Sequence, residues 1–165
     1  MAYRTIKLKV HEDYIQEEGT LTAAAVYPGM LLERNSSGNF QAHSTEGGPA
    51  EGLICVEDEG QGNGVDDSYD SSSRVVFIAA RKGDVFALRM KDTDSSGRVN
   101  ISQGEFLESN GDGYWRSWSA ATGAVDSASD LTNQFYPLAV ALEDIDMTDS
   151  SGVHGSEGLV KARIV

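Results

Sequence analysis

The sequence predicts an all-β chain built from small barrel or sandwich units, and three observations carry that prediction. Short β-prone segments recur along the whole length, each bounded by Gly, Ser, Asn or Asp clusters. No stretch shows a sustained helical period; residues 11–18 and 120–131 offer one turn each at most. A hairpin-like string occurs twice, which points to two related units.

Taken in order, residues 3–10 alternate with period two. Ile6, Leu8 and Val10 fall on one face, and Thr5, Lys7 and Lys9 on the other. Further strands are expected at 21–27, 30–33, 52–56, 74–80, 85–90, 105–108, 114–118, 138–142 and 160–165. The segments 44–51, 57–73 and 117–133 are rich in Gly, Ser and acids and read as exposed loops.

The repeat consists of PGMLLERNSSGNF at 28–40 and QGEFLESNGDGYW at 103–115. Both run Gly, an apolar pair ending in Leu, Glu, a spacer, Asn, small residues, Gly, one residue and an aromatic. Physically this is a strand, a turn in which Asn and Gly accept positive φ, and a return strand. Each copy is followed by an apolar strand ending in Glu-Asp, LICVED at 53–58 and AVALED at 139–144. The expected organisation is therefore an N-terminal arm or strand at 1–27, a first β unit at 28–90 and a connecting turn at 91–102. A second unit follows at 103–165, with an inserted loop at 117–133.

Composition narrows the function. The chain has 165 residues, a net charge of −13 and 13 basic against 26 acidic residues. A body this acidic repels phosphates, so no nucleic-acid partner is expected. Its longest apolar runs, such as 75–80, fall far short of the roughly 20 residues of a membrane span, and the N-terminus shows no secretory h-region. Only 5 of the bases are Lys, a balance compatible with a halophilic host, where salt screens like charges. The first ten residues reverse the sign, with Arg4, Lys7 and Lys9 and no acid.

That asymmetry makes Tyr3, Arg4, Ile6, Lys7, Leu8 and Lys9 the candidate partner-binding residues. A basic strand can add to the exposed sheet edge of an acidic partner by β-augmentation. Asp92, Asp94 and Ser96, followed by Gly97, match the opening of an EF-hand calcium loop, but Gln103 stands where a bidentate carboxylate belongs. A polar turn is the better reading of that string, and TDSSG recurs at 148–152. No cofactor is expected beyond that candidate Ca2+ site. The usual hydrolase, metalloprotease, nucleotide and CxxC motifs are missing, so no enzyme is expected. Cys55 reads as a core thiol, and the aromatics at 114–118 as barrel filling rather than a sugar platform.

The string GLICVEDEGQGNGVDDSYDSSSRVVFIAARKGDVFALRM, the opening YRTIKLKVHEDYIQEEGTLTAAAVYPGMLLERNSSGNFQAHSTEGG and ISQGEFLESNGDGYW together resemble the head decoration, or capsid cement, proteins of tailed phages. The resemblance spans residues 3–115 and, more loosely, the last strands. The stretch 117–133 and the 92–97 loop depart from it. It implies a structural virion protein on the outer capsid surface, made in the host cytoplasm and often trimeric, that bridges major capsid subunits. A turret or tail component, or a soluble carbohydrate- or calcium-binding β-module, are the alternative expectations.

Overall fold

The computed structural model describes residues 3–22, 25–91, 100–118, 138–146 and 157–165. Among these residues there is no helix. The strands are β1 (Lys7–Lys9), β2 (Ile15–Thr20), β3 (Leu31–Arg34), β4 (Phe40–Ala42), β5 (Leu53–Cys55), β6 (Arg74–Ala79) and β7 (Val85–Lys91). They continue with β8 (Asn100–Ile101), β9 (Phe106–Ser109), β10 (Trp115–Ser117), β11 (Ala139–Ala141), β12 (Ile145–Asp146) and β13 (Glu157–Ile164). The chain is all-β, built of small barrel units.

Two five-stranded units share one topology. The first runs β2-β6-β5-β3-β4, every neighbour antiparallel. A parallel bridge between Leu21 and Phe40 draws the end of β2 to β4, and Thr22 N donates to Phe40 O at 2.8 Å. The second runs β7-β13-β11-β9-β10, again antiparallel. It closes where β10 returns to β7 through the parallel pair Trp115 and Met90. β8 and β12 form a separate two-stranded sheet.

The registers correspond residue for residue. Leu31 faces Ile54 and Leu32 faces Leu53 in the first unit; Phe106 faces Val140 and Leu107 faces Ala139 in the second. Arg34 and Phe40 close one hairpin, Ser109 and Trp115 the other. Asn35 N donates to Asn39 O at 2.8 Å, and Asn110 N to Tyr114 O at 2.9 Å. The turns need positive φ at matching places: Gly29 and Gly104 both at 90°, Gly38 at 80° and Gly113 at 83°. Only glycine adopts that region without strain, which is why the repeated string keeps its glycines.

These pairings divide the chain differently from the expected boundaries. β2 lies in the first barrel and not in an arm, and β7 opens the second barrel instead of ending the first. The division falls between β6 and β7, not at 91–102. The second half of the expected helical turn at 11–18 is extended as the start of β2, held by its full-length ladder with β6. Among its described residues, the expected strand at 21–27 contributes bridges at Leu21 and Val26. The segment 57–73 is not simply a solvated loop: Tyr69 is fully buried, and its hydroxyl donates to Val56 O at 2.8 Å.

The two interiors are filled by different means. Phe77, Leu53 and Cys55 sit inside the first barrel where the second has Ala162, Ala139 and Ala141. The second compensates with Trp115 in place of Phe40 and Leu88 in place of Gly19. A Cβ on Gly19 would run into the Phe40 ring. Close packing demands a filled volume but leaves free which strand supplies it.

The outer faces differ in chemistry. Ile54, Val76 and Ile78 point away from the first interior and are buried in one cluster with Ala87, Leu107 and Trp115 of the second unit. β5 and β6 are thus buried on both faces, which explains their unbroken apolar runs. β13 alternates instead, with Val160 and Ala162 inside and Lys161 and Arg163 exposed.

Candidate functional site

The N-terminal segment forms part of the fold. β1 pairs antiparallel with β7, Lys7 opposite Phe86 and Lys9 opposite Val85. Ala87 N donates to Ile6 O at 2.9 Å. Ile6 is fully buried, and Tyr3, Leu8 and Val10 pack around the same cluster. One ladder of the expected augmenting strand is therefore occupied by the chain's own β7. Lys7 Nζ reaches Gln16 Oε1 at 3.3 Å and lies over the Tyr14 ring. Of the six candidate residues, Arg4 and Lys9 remain exposed.

Two glutamates fix this segment, and they are the corresponding residues of the two Glu-Asp repeats. The Tyr3 hydroxyl donates to Glu143 Oε1 at 2.5 Å. Thr5 Oγ1 hydrogen-bonds Glu57, whose other oxygen accepts from Ile6 N at 3.2 Å. Burial, together with the hydrogen bond to Glu143 and its negative charge, pushes the Tyr3 phenol well above its ordinary pKa. The arm is stapled to both units at once.

The junction between barrels rests on polar contacts that the sequence did not single out. Buried Arg89 donates from Nε to Pro28 O at 3.0 Å and from Nη2 to Val65 O at 2.6 Å, with Asp66 Oδ1 at 3.2 Å. Trp115 Nε1 donates to Gly29 O at 3.1 Å. The tip of the second hairpin docks on the first barrel: Leu31 N donates to Gly113 O at 2.8 Å, and Gly113 N to His43 O at 3.0 Å. His43 is buried, its Nδ1 2.8 Å from Ser109 Oγ and its Nε2 3.1 Å from Pro49 O.

The repeated Glu has a role in both hairpins. Glu33 accepts from Gln41 and Ser44, both at 2.7 Å, and these hydrogen bonds hold its carboxyl low although burial opposes them. Its counterpart Glu108 faces Arg116 across β10, with Nη2 to Oε1 at 2.7 Å.

An acidic hollow of about 350 Å³ is lined by Gln16, Glu17, Glu18, Asp58, Arg74 and Val76. Arg74 spans it, 3.1 Å from Glu18 and 3.4 Å from Asp58. The hydrogen bond from Gln61 leads the influences holding the Asp58 carboxyl below its usual range, with the Gly60 N–H and Arg74 adding to it. Asp58 is bound into the structure of the 57–73 segment, and Glu18 is paired with Arg74. His11 Nδ1 lies 2.5 Å from Asp84 Oδ1, with Asp84 buried beneath the β6–β7 connection.

The candidate calcium residues Asp92, Asp94 and Ser96 lie outside the described residues. Among the described residues, no group of three or more His, Cys, Asp or Glu is arranged to hold a metal. Cys55 lies inside the first barrel, where burial pushes its thiol far above the ordinary range and away from nucleophilic use. Trp115 fills the second barrel, whereas Trp118 stands edge-on to Phe106 at 6.4 Å on the outside. Among the described residues, no helix is long and apolar enough to cross a membrane.

Sequence reading found the repeated Glu-Asp and Gly positions but not the staple or the Arg89 clamp. Recurrence of Glu57 and Glu143 after matching strands was the available signal for the staple; nothing local marks Arg89. No family model matches the chain, and the search of curated proteins finds no match.

Proposed function

We propose that this chain is a non-catalytic structural protein of a virion, which decorates the outside of an icosahedral tailed-virus capsid and bridges its major capsid subunits. The observation that carries this reading is the packing. Side chains fill both barrels, so binding falls to the outer surface. The resemblance of residues 3–115 to capsid cement proteins gives that surface its partner. Such a protein works mechanically: it binds the assembled shell and not free subunits, and so stabilises the shell by mass action. Many symmetric copies multiply a modest contact.

Arg4 and Lys9 are the residues of the arm left free to meet an acidic capsid surface. The test adds purified protein to capsids stripped of it, then measures occupancy by cryo-electron microscopy and particle melting by calorimetry. Saturable, symmetric density with a raised melting temperature supports the reading. Capsids that neither bind the chain nor gain stability sink it. Charge reversal at Arg4 and Lys9 should lower occupancy without unfolding the protein.

A further inference from the structure

The duplicated architecture leaves half of its own internal contact unused. Within the chain, the outer face of the first barrel takes the tip of the second hairpin. Gly113 sits so close that a Cβ there would come within 2.6 Å of Met30 Cε and 2.9 Å of Ala42 Cβ. Leu31 and Ile54, on the receiving face, are fully buried.

Among the described residues, the corresponding surfaces of the other halves carry no such contact. Phe106 occupies the position of Leu31 and is 44% exposed. Val140 stands for Ile54 and is only half-buried; Lys161 and Arg163 stand for Val76 and Ile78 and are exposed. Trp118 takes the place of His43: Trp118 N donates to Phe106 O at 2.7 Å as His43 N does to Leu31 O at 2.9 Å. At the opposite end, Gly38 matches Gly113, and a Cβ on it would meet nothing within 4 Å. Ser36, Ser37 and Gly38 are all exposed.

We propose that copies of this chain associate head to tail, with the 36–38 hairpin tip of one copy seated against Phe106 and Trp118 of the next. The contact reuses the geometry that joins the two barrels inside each chain. Charge supports this choice of partner. The receiving face carries Lys161 and Arg163, whereas β2, which corresponds to β7 at the internal junction, presents Glu18 on its outer face, 3.1 Å from Arg74 of β6, and carries no base of its own. Where the internal contact sets Val76 and Ile78 in one apolar cluster with Ala87, the contact between copies sets cations opposite Glu18. A face joined to a different face of the next copy is a heterologous contact, and it closes into a ring or continues as a filament according to its rotation. It does not depend on a capsid.

The experiment uses the full chain in two parts. Sedimentation velocity over a dilution series should show reversible self-association, weakened about tenfold or more by Phe106→Asp or Arg163→Glu. The double variant Arg163→Glu with Glu18→Arg should recover it. Separately, Ser37→Cys and Phe106→Cys variants are mixed and oxidised, and disulfide-linked dimer should form only in the mixture. Melting curves confirm that each variant is folded; Ser37 and Phe106 are exposed, so their replacement leaves both cores intact. A wild-type chain that stays monomeric to millimolar concentration overturns the proposal. So does self-association indifferent to all these changes, or a mixture that fails to cross-link.

Discussion

Tyr3 and Glu143 meet at 2.5 Å across 140 positions of sequence, so the first described residue of the chain is tied to the second barrel. The bond needs the phenol protonated, because a phenolate beside a carboxylate would repel it. The native pKa of Tyr3 lies above the unfolded one, so its contribution is fully present below the unfolded value of about 10. It is lost as pH rises through the native value. Tyr69, buried and also raised, behaves in the same direction. Urea unfolding followed against pH should therefore give stability that declines above about pH 10. Tyr3→Phe should soften that alkaline decline and lower stability near neutrality by about 1 kcal/mol or less. An unchanged alkaline limb in Tyr3→Phe would mean that the staple is not formed.

The matched glycines at the hairpin tips make a controlled pair. Gly38 and Gly113 share a positive φ, so alanine at either suffers the same backbone strain, about 1 kcal/mol. Only Gly113 is also wedged against Met30, Ala42 and Leu31. Gly113→Ala should cost about 1–3 kcal/mol more than Gly38→Ala, the range for overpacking a filled site. Equal melting temperatures for the two variants would contradict the docked tip.

Much of this arrangement was legible beforehand, and the parts that were not have a common cause. The hairpins and the strands after them could be matched because their turns demand Gly and Asn and their strands end in the same Glu-Asp. The opening strands of the two units could not. β2 reads IQEEGT and is mostly exposed, whereas β7 reads VFALRMK and is buried except at its last residue. They hold equivalent places in the ladder, yet one faces water and the other faces a neighbouring barrel and β1. Burial, not topology, sets side-chain chemistry, so sequence likeness vanished where the environments diverged. The same divergence hid Arg89, whose partners Pro28 and Val65 come from distant turns.

The unequal filling of the barrels predicts unequal responses to equivalent substitutions. Phe77 and Ala162 hold the same register place, opposite Cys55 and Ala141. Phe77→Ala empties the first interior, where the ring packs 4.4 Å from Phe40, and should cost about 3–5 kcal/mol. Ala162→Phe overfills a barrel already occupied by Trp115 and Leu88 and should cost about 1–3 kcal/mol through displaced side chains. Denaturant midpoints would check both. A neutral Phe77→Ala would show that the first interior is not packed as described.

Arg89 offers the sharpest test of the junction, because its guanidinium serves both barrels from a single strand. It leaves β7 of the second unit, reaches carbonyls at Pro28 and Val65 of the first, and lies 5.2 Å from the centre of the Tyr27 ring. Replacing it with Met keeps most of the apolar stem but strips both carbonyls of their donor. A buried carbonyl left without one costs about 1–3 kcal/mol, so Arg89→Met should lose at least that much. Lys is no conservative substitute: one ammonium cannot span both acceptors with the fixed fork that Arg supplies. Asp66 is largely exposed, so its loss of an ion partner adds little, and Asp66→Asn should be near neutral. If the clamp acts between units and not within one, Arg89→Met should also speed hydrogen exchange at Gly113 and Leu31, whose amides donate across the same junction. Protection unchanged at those two amides would confine Arg89 to supporting the 64–67 turn.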